Sequence, residues 1–512
     1  MRNFKKLLLC FLALAMIVPM IVSCTALFGK GDENKESEQS QEVVETQTDK
    51  ETETDEHGQV VIDNTTLREQ DFNGKTIYFA IRESQYKREW FAEEPKSDLE
   101  NKVYYRNVAI EEELNVKLNY NSVKGADADS CKNLNTLIKN VGESGQGGLD
   151  VVSHYAAYAS NAALIPYYKN WYSKDLTFIN LENPYWNQNF IDAAEAFGRL
   201  FLCVGDVNLS VYDRCHVVYF NKALAEVHKD TVGDLYQTAI DGKWTADVML
   251  KMVKDVGTYT DPSRQEVYAL ASIINSEASD GFLYAWDAWL TEEDNNGMHR
   301  VVTDAGYTKL SNAFGKMCEI WYSSGGTNLL TSSQANYDFF TEGHALFDID
   351  VLYHYDSGWK QLNEMEDGFG ILPLPKYDDS QLEYYTGVQD AHNVMSIMNN
   401  GMKSDFDMVS AVLELMCAEN YSTVRPEYIK TTVKGQFLDV KSGECFDLVL
   451  NGARWDFADV YAAAIGGVRN KLWRGPFKKS ETSNQFSSAY STNQGPLDLN
   501  FAEFDAWLST QY

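Results

Sequence analysis

The chain has 512 residues, 44% hydrophobic and 13% aromatic, with a formal net charge of −31. So acidic a surface argues against a nucleic-acid partner, whose phosphates are bound by cations. It also argues against adhesion of the folded part to anionic lipid, so membrane attachment would have to come from acyl chains.

At the N-terminus Arg2, Lys5 and Lys6 precede an apolar stretch from Leu7 to Val22, closed by Ile21-Val22-Ser23-Cys24. A basic start, a short apolar run and a small-residue site describe a secretory signal, and a spanning helix needs about 20 apolar residues. The cysteine at the cut resembles a bacterial lipoprotein box. That resemblance implies a signal peptide over 1–23, a diacylglyceryl group on Cys24, and a protein anchored on the extracytoplasmic face of the cell membrane. From Gly31 to Glu56 the chain holds eleven Asp or Glu against Lys35 and Lys50, with no aromatic residue. Such a segment cannot bury enough surface to offset its ordering entropy, and residues 24–63 are expected to form an acidic disordered tether.

About 450 residues remain, more than one hydrophobic core serves, which predicts two lobes. Asn73-Gly74 signals a turn, and Thr76 to Ile81 reads as a buried strand. A helix over Leu99 to Leu114, a strand from Val116 to Tyr120, a helix through Leu134 and Ile138, and a strand from Leu149 to Val152 follow. This alternation implies a mainly parallel sheet, with ligands gathering at the carboxyl ends of its strands. Further on, His216 to Phe220, Ala345 to Ile349 and Phe369 to Leu374 read as strands. Met408, Val412, Leu415 and Met416 have the spacing of a buried helix face, Thr245 is a helix N-cap, and Glu292 to Gly297 reads as a hairpin turn before Met298 to Val302. Cys131, Cys203, Cys215, Cys318, Cys417 and Cys445 form no CxxC pair. No metal site, cofactor motif, GxSxG or phosphate loop appears.

The segment Asn101-Lys-Val-Tyr-Tyr-Arg-Asn-Val-Ala-Ile-Glu-Glu-Glu-Leu-Asn-Val-Lys-Leu, followed by Leu149-Asp-Val-Val-Ser, resembles the opening of extracellular solute-binding proteins of the sugar-binding ABC importer class, the maltose-binding-protein-like group. Val217-Val-Tyr-Phe-Asn-Lys, Asp241-Gly-Lys-Trp-Thr, Phe339-Phe-Thr-Glu-Gly-His-Ala-Leu-Phe, Phe369-Gly-Ile-Leu-Pro-Leu-Pro-Lys and Asp439 to Leu448 agree in order. The resemblance implies a bilobed α/β periplasmic-binding-protein-like fold with a hinge and an interlobe ligand cleft. It implies three chain crossings, with lobe one at 64–214 plus 369–418 and lobe two at 215–368 plus 419–512. It further implies a non-enzymatic monomer that captures a carbohydrate, an oligosaccharide by expectation, and delivers it to the importer's membrane permease.

Sugars call for aromatic faces together with carboxylates or amides. Where the topology places the cleft, the first-lobe candidates are Arg82, Glu83 and Tyr86 after the first strand, Ser153, His154 and Tyr155 after the third, and Trp186 in a loop expected to expose its indole. Asp206, Asn208, Tyr212 and Asp213 form a polar loop at the crossing. The second lobe offers Asn275, Glu277, Trp286, Trp289, Asp350, Tyr353 and Trp359. Each has a plainer reading: Trp286 and Trp289 as core, Asp206 and Asp213 as turn caps. A surface-anchored glycoside hydrolase or lyase, with two carboxylates across a glycosidic bond, is the alternative from another class. A binder of a non-sugar solute such as a peptide would keep the same fold.

Overall fold

The computed structural model describes residues 62–84, 88–146, 148–273, 278–352, 362–399, 405–437, 439–481 and 483–511, together with Thr54 and Val60. The signal segment, Cys24 and nearly all of the acidic tether lie outside the described residues. β1 (Lys75–Glu83), α1 (Asp98–Glu113), β2 (Val116–Lys124), α2 (Ala128–Ser144) and β3 (Val151–Tyr155) follow in the expected alternation. Asn73 and Gly74 both take positive φ, 56° and 71°, a region that Asn and Gly enter most readily, and so turn the chain into β1. Ser97 caps α1 by accepting from Glu100 N. A reciprocal Asp127–Ser130 box starts α2, and Gly145 ends it in the left-handed conformation.

The chain continues through α3 (Gln188–Ala194), β4 (His216–Asn221), α4 (Ala246–Val256), β5 (Thr258–Asp261), β6 (Gln265–Ile273), α5 (Ala278–Ala285), β7 (Thr291–Glu293), β8 (His299–Val301), β9 (Thr327–Leu330) and β10 (Ala345–Val351). It ends through β11 (Phe369–Leu372), β12 (Thr386–Gly387), β13 (Asn393–Ile397), α6 (Phe406–Glu419), α7 (Val440–Asn451), β14 (Ala453–Arg454), α8 (Phe457–Val460) and α9 (Phe486–Leu508). Thr245 caps α4 as expected, accepting from Val248 N at 3.4 Å. β7 and β8 form the expected antiparallel hairpin.

Two separate sheets carry the architecture. The first has the order β13-β3-β1-β2, with β1 parallel to both β2 and β3 and β13 antiparallel to β3. The second runs β11-β4-β10-β6-β5, with β9 beside β6. β4 and β10 are buried along their whole length, the pattern of strands covered on both faces. Among the described residues no helix is long and apolar enough to cross a membrane.

The chain passes from one sheet to the other beside itself. Cys203 bridges to Met395 and Cys215 to Val388, both antiparallel, so the outward passage over 204–215 and the return over 388–393 run as a pair. This corrects the expected boundary at 369. Phe369–Leu372 is an edge strand of the second sheet, paired antiparallel with Asn221–Val218 of β4, because its wholly buried apolar run needs that neighbour and the cover of α7. The boundary at 419 also moves: α6 packs on α1 and α7 on β11, which puts the third passage between Asn420 and Asp439. The C-terminal stretch touches both halves, α8 against α3 and α9 against β8.

Candidate functional site

The paired crossing segments and the carboxyl ends of β1 and β3 converge on a seam of buried polar side chains. Arg82, at the end of β1, is buried. Its Nη2 donates to the carbonyl of Ala391 at 2.9 Å, and its guanidinium lies 4.3 Å from the centroid of the Tyr155 ring. The first sheet is thereby pinned to the returning segment. Next to it, Glu89 accepts from Asn393 Nδ2 at 2.8 Å and from the backbone N–H of Ser210, so one carboxylate holds both passages. Burial pushes its pKa up to about 7 against the pull of Ser210, Asn393 and Arg82.

On the outward passage, Asp206 pairs with Arg425 at 3.0 Å and accepts from Tyr212 at 3.4 Å. Burial raises its pKa to about 6, with Arg425 opposing. Asp213 accepts from Tyr428 and faces Arg88 at 3.7 Å. Arg214 Nη1 donates to Gln389 Oε1 at 2.7 Å, and Gln389 N donates back to the Arg214 carbonyl at 2.8 Å. A second cluster adjoins: Arg469 pairs with Asp390 and lies 3.4 Å from both Asp280 and Asp459. Asp459 also accepts from Tyr284.

The structure brings Arg82, Ser153, Tyr155, Asp206, Tyr212 and Asp213 to this seam. Ser153 Oγ accepts from Trp90 Nε1 at 2.9 Å. Glu83 is exposed at the strand end. His154 turns the other way, bonded to Asn135 at 2.6 Å; burial, with Arg82, holds its pKa down at about 3. Asn208 holds the Gly205 N–H at 3.1 Å. In the second sheet Asp350 is buried on β10 opposite Val217, accepting from Val351 N at 2.7 Å. Tyr86, Asn275, Glu277, Tyr353 and Trp359 lie outside the described residues.

Three tryptophan expectations are placed differently. The Trp186 indole is buried, not exposed, because its N–H donates to the buried Glu414 carboxylate at 3.0 Å. Trp286 is core, packed on Phe282 and Tyr377 at 4.9 and 5.9 Å. Trp289 is half-buried and donates to Asp287 at 2.8 Å; α5 ends at Ala285, so these two indoles do not share a helix face. All six domain cysteines are free thiols.

Sequence reading missed Arg214, Gln389, Asp390, His392, Trp455, Asp459 and Arg469. The one available signal was Gln389-Asp-Ala-His392, a largely polar run just before the buried strand Asn393–Ile397.

The fold is similar to that of a solved ABC substrate-binding protein. Among solved structures, an ABC substrate-binding protein from Listeria monocytogenes in complex with cycloalternan matches with a TM-score of 0.50 at 11% sequence identity, over 84% of this chain and 99% of its own. No protein-family model and no curated protein sequence matches.

Proposed function

We propose that this chain is the substrate-binding component of an ABC importer, which captures an oligosaccharide between its two halves and passes it unchanged to a membrane permease. The single observation behind this reading is that a fold shared with an oligosaccharide-bound substrate-binding protein meets a seam of buried carboxylates, arginines and tyrosines at the crossing segments. Closure of such a hinge is favoured only by as much as the ligand contacts both halves at once. Asp206, Asp213, Tyr155 and Arg82 offer acceptors, donors and a ring face of the kind sugar hydroxyls and C–H faces require. Lipidation of Cys24 would hold the protein beside its permease and raise the local concentration.

A thermal-shift screen of the chain against neutral oligosaccharides tests the reading, since a ligand that binds only the native state raises its melting temperature. An oligosaccharide is expected to give the largest shift. No shift from any sugar beside a clear one from peptides refutes the carbohydrate assignment, and release of reducing ends would make the protein a hydrolase.

A further inference from the structure

The returning segment borders a small cavity of about 10 Å³, walled by Phe190 of α3, His392, Val394 and Trp455. Its free space is that of about one water molecule. Among its lining residues, three buried atoms, His392 Nε2, Trp455 Nε1 and Asp459 Oδ1, have no hydrogen-bond partner among the described residues, and the first two belong to rings that face each other. The two side chains are 2% and 5% exposed, so bulk water does not serve them. Their rings stand 5.9 Å apart at 63°, and Phe190 meets both nearly edge-on, at 6.3 and 5.6 Å.

The two ring nitrogens have opposite needs. His392 Nδ1 lies 2.9 Å from the Gln389 carbonyl oxygen, which only accepts, so the contact assigns the proton to Nδ1. Burial holds the imidazole pKa down at about 4. The ring is therefore neutral at pH 7, and Nε2 is a bare acceptor. The Trp455 indole only donates. Of the nearby carboxylates, Asp390 pairs with Arg469, while Asp459 accepts from Tyr284 through Oδ2 and holds Oδ1 3.4 Å from Arg469 Nε, outside a hydrogen bond; Asp459 Oδ1 is a further acceptor and leaves the indole N–H still without one. One atom that accepts from an N–H and donates to a nitrogen lone pair is a hydroxyl oxygen. A chloride or a carbonyl satisfies only the indole, and an ammonium only the imidazole.

We propose that His392 and Trp455 form a subsite for a single hydroxyl oxygen, supplied by a bound sugar or, in its absence, by a water. The space admits the tip of a polyol and not its ring, so Phe190 and Val394 would meet only the carbon that bears the hydroxyl. The sugar as source rests on the function proposed above; the subsite itself does not.

The full chain in detergent, labelled with ¹⁵N at its tryptophan indoles, provides the test. The Trp455→Phe spectrum assigns the resonance, with Trp455→Tyr as the second choice should the first not fold. A water cross-peak at the Trp455 indole that disappears when cycloalternan is added identifies a sugar hydroxyl as the occupant. A cross-peak that persists identifies water alone, and a sugar-induced shift without a prior water cross-peak identifies the sugar alone. Neither a water cross-peak nor a sugar-induced shift overturns the proposal. His392→Gln, whose amide oxygen still accepts, is expected to keep the signal, and His392→Phe to lose it. Should no sugar move any resonance or the melting temperature, the transport reading fails while the water cross-peak still decides the subsite.

Discussion

The indole N–H of Trp186 donates to Glu414 at 3.0 Å, although Glu414 sits among buried apolar residues of α6. The same carboxylate accepts from Tyr185 and Asn183, each at 2.6 Å, and from the backbone of Asn180 at 3.2 Å. Four donors converge on one buried acid, which fastens the 180–186 loop to the helix.

Removing the acid takes the shared acceptor from all four donors, although Asn183 Nδ2 still reaches Tyr185 Oη at 2.6 Å. Each orphan costs about 1–3 kcal/mol, so Glu414→Ala is expected to lose at least about 3 kcal/mol and Glu414→Gln less. Urea unfolding followed by tryptophan fluorescence measures both. A Glu414→Ala protein within about 1 kcal/mol of the parent would show that the loop is held by other contacts.

Glu89 at the paired passages should make stability fall with rising pH. Its carboxyl stays protonated in the folded chain up to about pH 7, whereas in the unfolded chain it ionises near pH 4.5. Between those values the native state binds the extra proton, so raising the pH favours unfolding, by a few kcal/mol at most, on the order of 3. Glu89→Gln should lack that decline. Unfolding midpoints at pH 4.5, 6 and 7.5 give the comparison, and parallel curves for the two proteins contradict the assignment.

His299 works in the same sense at the C-terminal clamp, at higher pH. Its ring stacks on Phe457 with centroids 3.5 Å apart, its Nδ1 lies 3.0 Å from Asp505, and its Nε2 lies 3.6 Å from Glu293. Burial alone lowers the imidazole pKa, but Asp505 and Glu293 outweigh it and lift the value to about 9. The contribution is fully present below about pH 6.5 and is lost as pH rises through 9, with a size on the order of 3 kcal/mol. His299→Gln should be less stable at pH 6 and converge on the parent above pH 9. A constant gap across that range would place the loss in packing alone.

The proposed lipid anchor predicts that Cys24→Ser moves the protein from the membrane fraction to the soluble one. Fractionation of expressing cells is decisive: retention of the variant in the membranes rules out attachment through Cys24.

Local features were legible because their causes are local. The opening strand and helix alternation follows from hydrophobic period, the Asn73-Gly74 turn from backbone sterics, the Thr245 cap from one side chain reaching three residues ahead, and the β7–β8 hairpin from its polar turn. The rule that ligands gather at strand ends pointed to Arg82, Ser153 and Tyr155, and the fold places these three side chains along one seam.

Partnership across the fold was not legible. Nothing near Trp186 announces that Glu414, 228 residues away, awaits its N–H. Likewise Phe369–Leu372 reads the same whichever sheet receives it. The chain's own chemistry determined the α/β alternation, its turns and its caps, each expressed within a few turns of backbone. Only the tertiary structure decided which polar groups were buried together, since a group's desolvation and its partner are properties of the space around it and not of its neighbours in the chain.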